Sequence, residues 1–282
     1  MTKTKINSII DLINWGNKHF SQNGIENSKL EMEWLLCHTL KCKRIDLYIN
    51  FENHLQEPLL TNLRKMVKRR LSGEPFQHII GKSNFYGRDF IVNKNVFIPR
   101  SETEIIIDRL KINGKVNTLL DIGTGSGCIG ITSLLEGFAN NVYATDISKL
   151  AINTAKKNMN ELKAKNIHFF VHDFLLSDFT FKSDTIVSNP PYIPNNELSS
   201  LQTEVKNYDP HDALTDYNDG LTFYRRFANQ FDNIVNPGGN LILEFGGNNQ
   251  KNEIEGIFNK GGFRTSFFKD LHGEWRIIEV RK

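Results

Sequence analysis

Two rhythms of apolar spacing divide this chain. From its start to about residue 74, apolar positions such as Ile9, Leu12 and Ile13, then Leu30, Trp34 and Leu35, recur three and four residues apart, the spacing of one helix face. Ser28 with Glu31 has the spacing of a capping box, which would open the second of these helices. Leu59 to Leu71 is a further amphipathic stretch, and it carries Arg64, Lys65, Lys68, Arg69 and Arg70. Such a run is expected to be a solvated helix face, with contact to an acidic or RNA-bearing partner as the other reading. Gly73-Glu-Pro75 breaks the pattern. Alternating Phe85, Phe90 and Val92, then Val96 and Ile98, predict a hairpin around the turn-like Asn93-Lys-Asn95. Ser101 and Glu104 then fit a second capping box at the head of a helix.

Beyond that point short apolar runs alternate with helical stretches. Strands are expected at 117–122, 141–146, 167–172, 184–188, 240–245 and 275–280, several apolar enough to be buried on both faces. This alternation predicts a doubly wound α/β sheet. The organisation that follows is a helical domain over 1–74, a hairpin linker over 75–99 and a sheet domain over 100–282, a size that suits 282 residues with 39% hydrophobic content.

Charge and cysteines narrow the class. Thirty-five basic and 32 acidic residues leave a net charge of +3, which is unlike a protein held to nucleic acid mainly through phosphates. Cys37, Cys42 and Cys128 show no metal-ligand spacing, so neither a disulfide nor a structural zinc is expected, and a reducing compartment is. No apolar run approaches the roughly 18 residues that span a bilayer, and Met1-Thr-Lys-Thr-Lys-Ile6 has no signal-peptide core. A soluble cytoplasmic protein is the expectation.

Candidate chemistry lies at the ends of the strands. Asp121-Ile-Gly-Thr-Gly-Ser-Gly127 sets glycines between a strand and a helix, so that backbone and helix amides can approach a ligand. Gly123, Thr124, Gly125, Ser126 and Gly127 are the expected cradle, with Asp146 accepting ribose hydroxyls and Asp121 helping to receive an ammonium group. Gly125 to Gly130 also satisfies GxGxxG, so the loop alone leaves a dinucleotide open. In His172-Asp-Phe174, Asp173 can accept from an adenine amino group and Phe174 can pack on the ring. His168 and His172 have no partner at ligand spacing, and no metal is expected.

Asn189-Pro-Pro-Tyr192 decides between the cofactors. A planar nitrogen has its lone pair delocalised, so an enzyme that alkylates it must grip the NH2 group by its hydrogens. The Asn189 side-chain oxygen and the Pro190 carbonyl can accept those hydrogens, Pro191 stiffens the loop, and Tyr192 forms a wall. Asn189 also borders the cofactor. The loop gives the methyl of S-adenosylmethionine a destination, and a hydride carrier would leave it unexplained.

With these pieces placed, the chain resembles the release-factor glutamine methyltransferase family (HemK/PrmC). The likeness runs through Gly73–Gly81, Phe85-Tyr-Gly87, Ile98-Pro-Arg-Ser-Glu-Thr-Glu104, the glycine loop, Ala144-Thr-Asp-Ile-Ser148, Asn189-Pro-Pro-Tyr-Ile193, Asp219-Gly-Leu221 and Leu243-Glu-Phe-Gly246, nearly the whole length. The resemblance implies a seven-stranded methyltransferase domain joined by a hairpin to a helical substrate-recognition domain. It implies methylation of the glutamine amide in the Gly-Gly-Gln loop of class-I peptide chain release factors; separately, a monomer without stable nucleic-acid binding is expected. Ser101 stands where the family usually has proline, and Phe174 is the smaller of the two rings, tryptophan or phenylalanine, that the family often has there. The rival readings are an adenine or cytosine amino-methyltransferase, which needs the same grip on a base NH2, a dinucleotide oxidoreductase, and a ribosome-associated binding module.

Overall fold

The computed structural model describes residues 7–282, so the reading of Met1–Ile6 lies outside the described residues. The chain forms two units, residues 1–81 and 82–282.

The first unit is helical. Its elements are α1 (Ile9–Gln22), α2 (Ser28–Leu40), α3 (Arg44–Ile49), α4 (Glu57–Leu71) and α5 (Phe76–Ile80). Ile9, Leu12, Ile13, Phe20, Met32, Leu35, Leu36, Leu60, Leu63 and Val67 build the core, and Phe76, Ile79 and Ile80 join it. That packing carries the unit through α5 to Gly81. The capping box expected at Ser28 does not form: Asn27 is the N-cap residue, Ser28 Oγ donates to Asn17 Oδ1 at 2.7 Å, and Glu31 pairs with Arg70. Trp34, expected on the buried face of α2, is exposed, and Glu33 is buried instead. The reason is local, since Glu33 accepts from Arg44 Nε at 2.5 Å and from the Tyr48 hydroxyl. On α4, Arg64, Lys65, Lys68 and Arg69 are exposed as a solvated face requires, whereas Arg70 turns inward onto Glu31, with Nε 2.5 Å from Oε2.

The second unit opens with a hairpin, β1 (Lys82–Phe85) and β2 (Arg88–Ile91), and its turn is Tyr86-Gly87 rather than Asn93-Lys-Asn95. Tyr86 (φ 49°) and Gly87 (φ 75°) supply the two positive φ angles that a two-residue hairpin turn demands. Asn93 instead accepts from the Asn95 amide in a local turn. After a 3₁₀ turn at Ser101–Thr103, α6 (Glu104–Asn113) begins. The second capping box is also absent, because Glu104 accepts from the Tyr86 amide and Ser101 Oγ donates to Glu102.

Then follow β3 (Val116–Ile122), α7 (Cys128–Leu135), β4 (Ala139–Asp146), α8 (Lys149–Glu161), β5 (Ile167–Val171), β6 (Ser183–Ser188), α9 (Thr203–Tyr208), α10 (Thr222–Ile234), β7 (Val235–Glu244), α11 (Asn248–Lys260), β8 (Arg264–Lys269) and β9 (Trp275–Arg281). The sheet has seven strands in the order β5-β4-β3-β6-β7-β9-β8. Its first five strands are parallel, β9 runs antiparallel to β7, and β8 antiparallel to β9. The pattern missed β8, whose edge position leaves Arg264, Ser266 and Lys269 exposed and breaks the apolar run. Hydrophobic layers cover both faces of the sheet, one centred on Phe227, Leu241 and Phe245, the other on Ile106, Leu119 and Val142. Asn158 of α8 ties the hairpin to this body, taking the Ile91 amide at 2.6 Å and donating to the Ile91 and Ser126 carbonyls.

Candidate active site

Strand order reverses between β3 and β6, and in open α/β sheets ligands settle beyond the carboxyl ends of the strands at that point. A cavity of about 820 Å³ lies there, and the loops after β3, β4, β5 and β6 and the last residue of β7 contribute to its wall.

The glycine loop is shaped from behind. The Gly123 and Thr124 amides donate to the Thr145 carbonyl at 2.8 Å each, and the Gly125 amide donates to Asp146 Oδ2 at 2.9 Å. Gly123 (φ 74°) and Gly125 (φ 56°) hold left-handed backbone, and an added Cβ at either would meet nothing within 4 Å, because that side is cavity. Gly127 differs from expectation. It does not line the cavity, and a Cβ there would lie 2.9 Å from Ile131 and 3.1 Å from Ala155, so this glycine allows close packing of α7 and α8. Asp121 also departs from the ammonium role. It is wholly buried, does not line the cavity, and accepts from Thr124 Oγ1 at 2.6 Å and the Gly130 amide at 3.0 Å. Burial pushes its carboxyl up to about 7.

Asp146 lines the cavity and holds two amides, Gly125 on Oδ2 and Ser148 on Oδ1, both at 2.9 Å. Each oxygen keeps a lone pair for a ligand hydroxyl. Burial raises its pKa. Asp173 and Phe174 line the cavity as well. Asp173 Oδ1 accepts from the Leu175 and Leu176 amides, which leaves Oδ2 as the outward acceptor. Phe174 is a core residue too: 4% exposed, with its ring centroid 4.6 Å from that of Phe227. His168 stacks on Tyr143 and His172 on Phe179, and no group of three metal-ligating side chains occurs among the described residues.

On the β6 side, Asn189, Pro191 and Tyr192 line the cavity, whereas Pro190 is buried and is not among the lining residues. Asn189 Nδ2 donates to Thr103 Oγ1 at 3.2 Å. With the donor end of the amide engaged, Oδ1 is its remaining acceptor. Tyr192 is held through its backbone, whose carbonyl accepts from Gln250 Nε2 at 2.7 Å, and burial pushes its phenol well above the ordinary range.

Among the lining residues given no role in the sequence are Thr103, Glu244 and Arg276. Glu244 had a visible signal. Like Asp121 and Asp146, it is an acid that ends an apolar strand run, here Leu241-Ile-Leu243. Arg100 also lines the cavity, with Nη2 2.9 Å from Oδ2 of buried Asp209, whose carboxyl burial pushes up to about 6.

These residues suit S-adenosylmethionine. The cavity offers glycine backbone for close approach, the Asp146 and Asp173 carboxylates for hydroxyl and amino donors, an aromatic wall, and Ser126 Oγ and His172 Nε2 without partners of their own.

Residues 11–81 match the PrmC N-terminal domain, and residues 93–205 match the methyltransferase small domain. The release factor glutamine methyltransferase of Geobacter sulfurreducens is 38% identical over 282 residues, covering 99% of this chain and 98% of that one. The Bacillus subtilis protein of the same name is 35% identical, covering 96% of each. Among solved structures, a methyltransferase from Pyrococcus furiosus shares the fold, with a TM-score of 0.51 and 18% identity over 70% of this chain and 89% of that one. With identity of this degree sustained from end to end, the chain belongs to the release factor glutamine methyltransferase family.

Proposed function

We propose that this enzyme methylates the side-chain amide nitrogen of the glutamine in the Gly-Gly-Gln loop of class-I peptide chain release factors, with S-adenosylmethionine as methyl donor. The observation that carries this reading is the setting of Asn189 at the switch point beside the glycine loop. Its amide is anchored at the nitrogen by Thr103.

Gly123, Thr124, Gly125, Ser126, Asp146, Asp173, Phe174 and Asn189 would hold the cofactor, which supplies a methyl group on a positively charged sulfur. Asn189 Oδ1 and the Pro190 carbonyl would take the two hydrogens of the glutamine NH2, while Tyr192 packs on the amide plane and Pro191 keeps the loop stiff. Positioning provides much of the effect. As the nitrogen commits its lone pair to a new bond, its hydrogens become stronger donors. The same two acceptors therefore bind the transition state more tightly than the ground state.

The helical unit is proposed to recognise the release factor body. Three free thiols, no helix among the described residues long and apolar enough to cross a membrane, and a substrate that works in translation termination all suit the cytoplasm, and a monomer is the proposed state.

The test is label incorporation from S-adenosylmethionine into an unmodified release factor, beside a variant lacking the Gly-Gly-Gln glutamine and a duplex DNA control. Label that disappears with the glutamine is the expected result. Label on DNA would move the reading to a base amino-methyltransferase. Asn189→Ala should lower kcat by about 10²–10³-fold, the usual cost of one transition-state hydrogen-bonding group, with most of the cofactor affinity kept by the other residues that hold it. Near-normal turnover in that variant would overturn the acceptor role.

A further inference from the structure

An asparagine amide has nearly the same shape when turned over, yet its two ends do opposite things. With Oδ1 toward the substrate it accepts from the glutamine NH2. With Nδ2 there, donor meets donor and the grip is lost. Something must select between the two states, and the strand register shows what stands next to Asn189.

Ser188 of β6 pairs with Leu243 of β7, so Asn189 and Glu244 leave neighbouring parallel strands side by side. Glu244 lines the cavity, is 2% exposed, and its Oε2 has no partner. The Thr103 hydroxyl and the Asn189 amide are the neighbouring donors that favour its charged form. Its own carbonyl is pinned by the Tyr224 hydroxyl at 2.7 Å.

We propose that Glu244 is the positioning residue for Asn189: as a carboxylate, together with Thr103, it takes the amide hydrogens of Asn189 and so commits Oδ1 to the substrate. This rests on Asn189 being the acceptor. Thr103 Oγ1 accepts from Asn189 Nδ2 and has one hydrogen to give, and a carboxylate, which only accepts, completes that chain in one direction. A protonated carboxyl has an O–H of its own, can donate to Thr103 Oγ1 or Asn189 Oδ1, and removes the selection.

The groups facing Glu244 set where this changeover falls. Burial raises its pKa the most, to about 7, with Glu102 adding to the rise, against Thr103, Arg276 and Asn189, which lower it. Arg276 is itself held by Asp270 at 3.3 Å. Because the carboxylate is the working form, kcat should be full above that value and fall as pH drops through it.

The experiment measures kcat on release factor, at saturating cofactor and substrate, across neutrality for the whole enzyme and for Glu244→Gln and Asn189→Ala. Saturation separates the effect from Asp121, whose titration behind the glycine loop would act on cofactor affinity. Wild type should show an acidic limb near pH 7. Glu244→Gln should lose that limb and run about tenfold slower above it, the worth of one net hydrogen bond, with cofactor affinity and KM for release factor unchanged. The Asn189 side-chain NH2 signals in wild-type NMR, identified by their loss in Asn189→Ala, should shift with the same midpoint. A Glu244→Gln enzyme with wild-type kcat and an intact limb, beside an inactive Asn189→Ala, would overturn the role of Glu244 and leave Asn189 as acceptor. A flat NMR titration would overturn it as well. An active Asn189→Ala would instead overturn the reading beneath.

Discussion

Buried polar groups in the helical core and at the cavity wall of the sheet unit are treated differently. In the helical unit the buried charges are answered from within: Glu33 by Arg44 and Tyr48, Arg70 by Glu31 in a two-point contact. In the sheet unit Ser126 Oγ, His172 Nε2 and Glu244 Oε2 are buried without partners, and all three residues line the cavity. A buried polar group without a partner carries a free-energy cost that folding alone gives no reason to keep. Where the partners are present the charge builds structure, and where they are missing a ligand can supply them.

The comparison can be broken by splitting a structural pair. Arg70→Ala strands Glu31 in a half-closed pocket and should destabilise the helical unit by about 3–5 kcal/mol, the range for a buried pair that loses one member. Denaturant unfolding monitored in that unit measures it, and a loss below about 1 kcal/mol would show that the two units do not differ in this way. A middle-sized effect should come from the cavity side. Asp146→Ala should weaken S-adenosylmethionine binding in calorimetry by about 1.5–3 kcal/mol, because it removes a charged acceptor and frees the Gly125 amide. An unchanged Kd would take Asp146 out of the site. The smallest effect sharpens the contrast from the outside. Arg64 and Glu57 pair at 2.6 Å with both side chains 58% exposed, and Arg64→Ala should shift stability by no more than about 0.5 kcal/mol.

Several elements were legible because their signal is local. The short apolar runs of Leu119-Leu-Asp-Ile122 and its neighbours, and the glycines that follow, marked a parallel sheet and its ligand edge, since strand burial and left-handed backbone restrict residue type directly. Other elements failed for an equally definite reason. Ser28 and Ser101 have capping-box spacing, yet Glu31 and Glu104 serve Arg70 and the Tyr86 amide, partners far away in sequence. Trp34 and Glu33 exchanged their expected places because Arg44 and Tyr48 make burial of a carboxylate tolerable.

The chain by itself determined the helical and α/β halves, the glycine loop, Asp146 and the Asn-Pro-Pro-Tyr segment, all features whose physics is written within a few consecutive residues. Tertiary structure alone decided that Gly127 serves packing between helices, that Asp121 is sealed behind the loop, and that Thr103 and Glu244 stand beside the Asn189 amide. Those outcomes depend on strand order and register, which bring Thr103 within 3.2 Å of a residue 86 positions away, and no spacing along the chain encodes such a meeting.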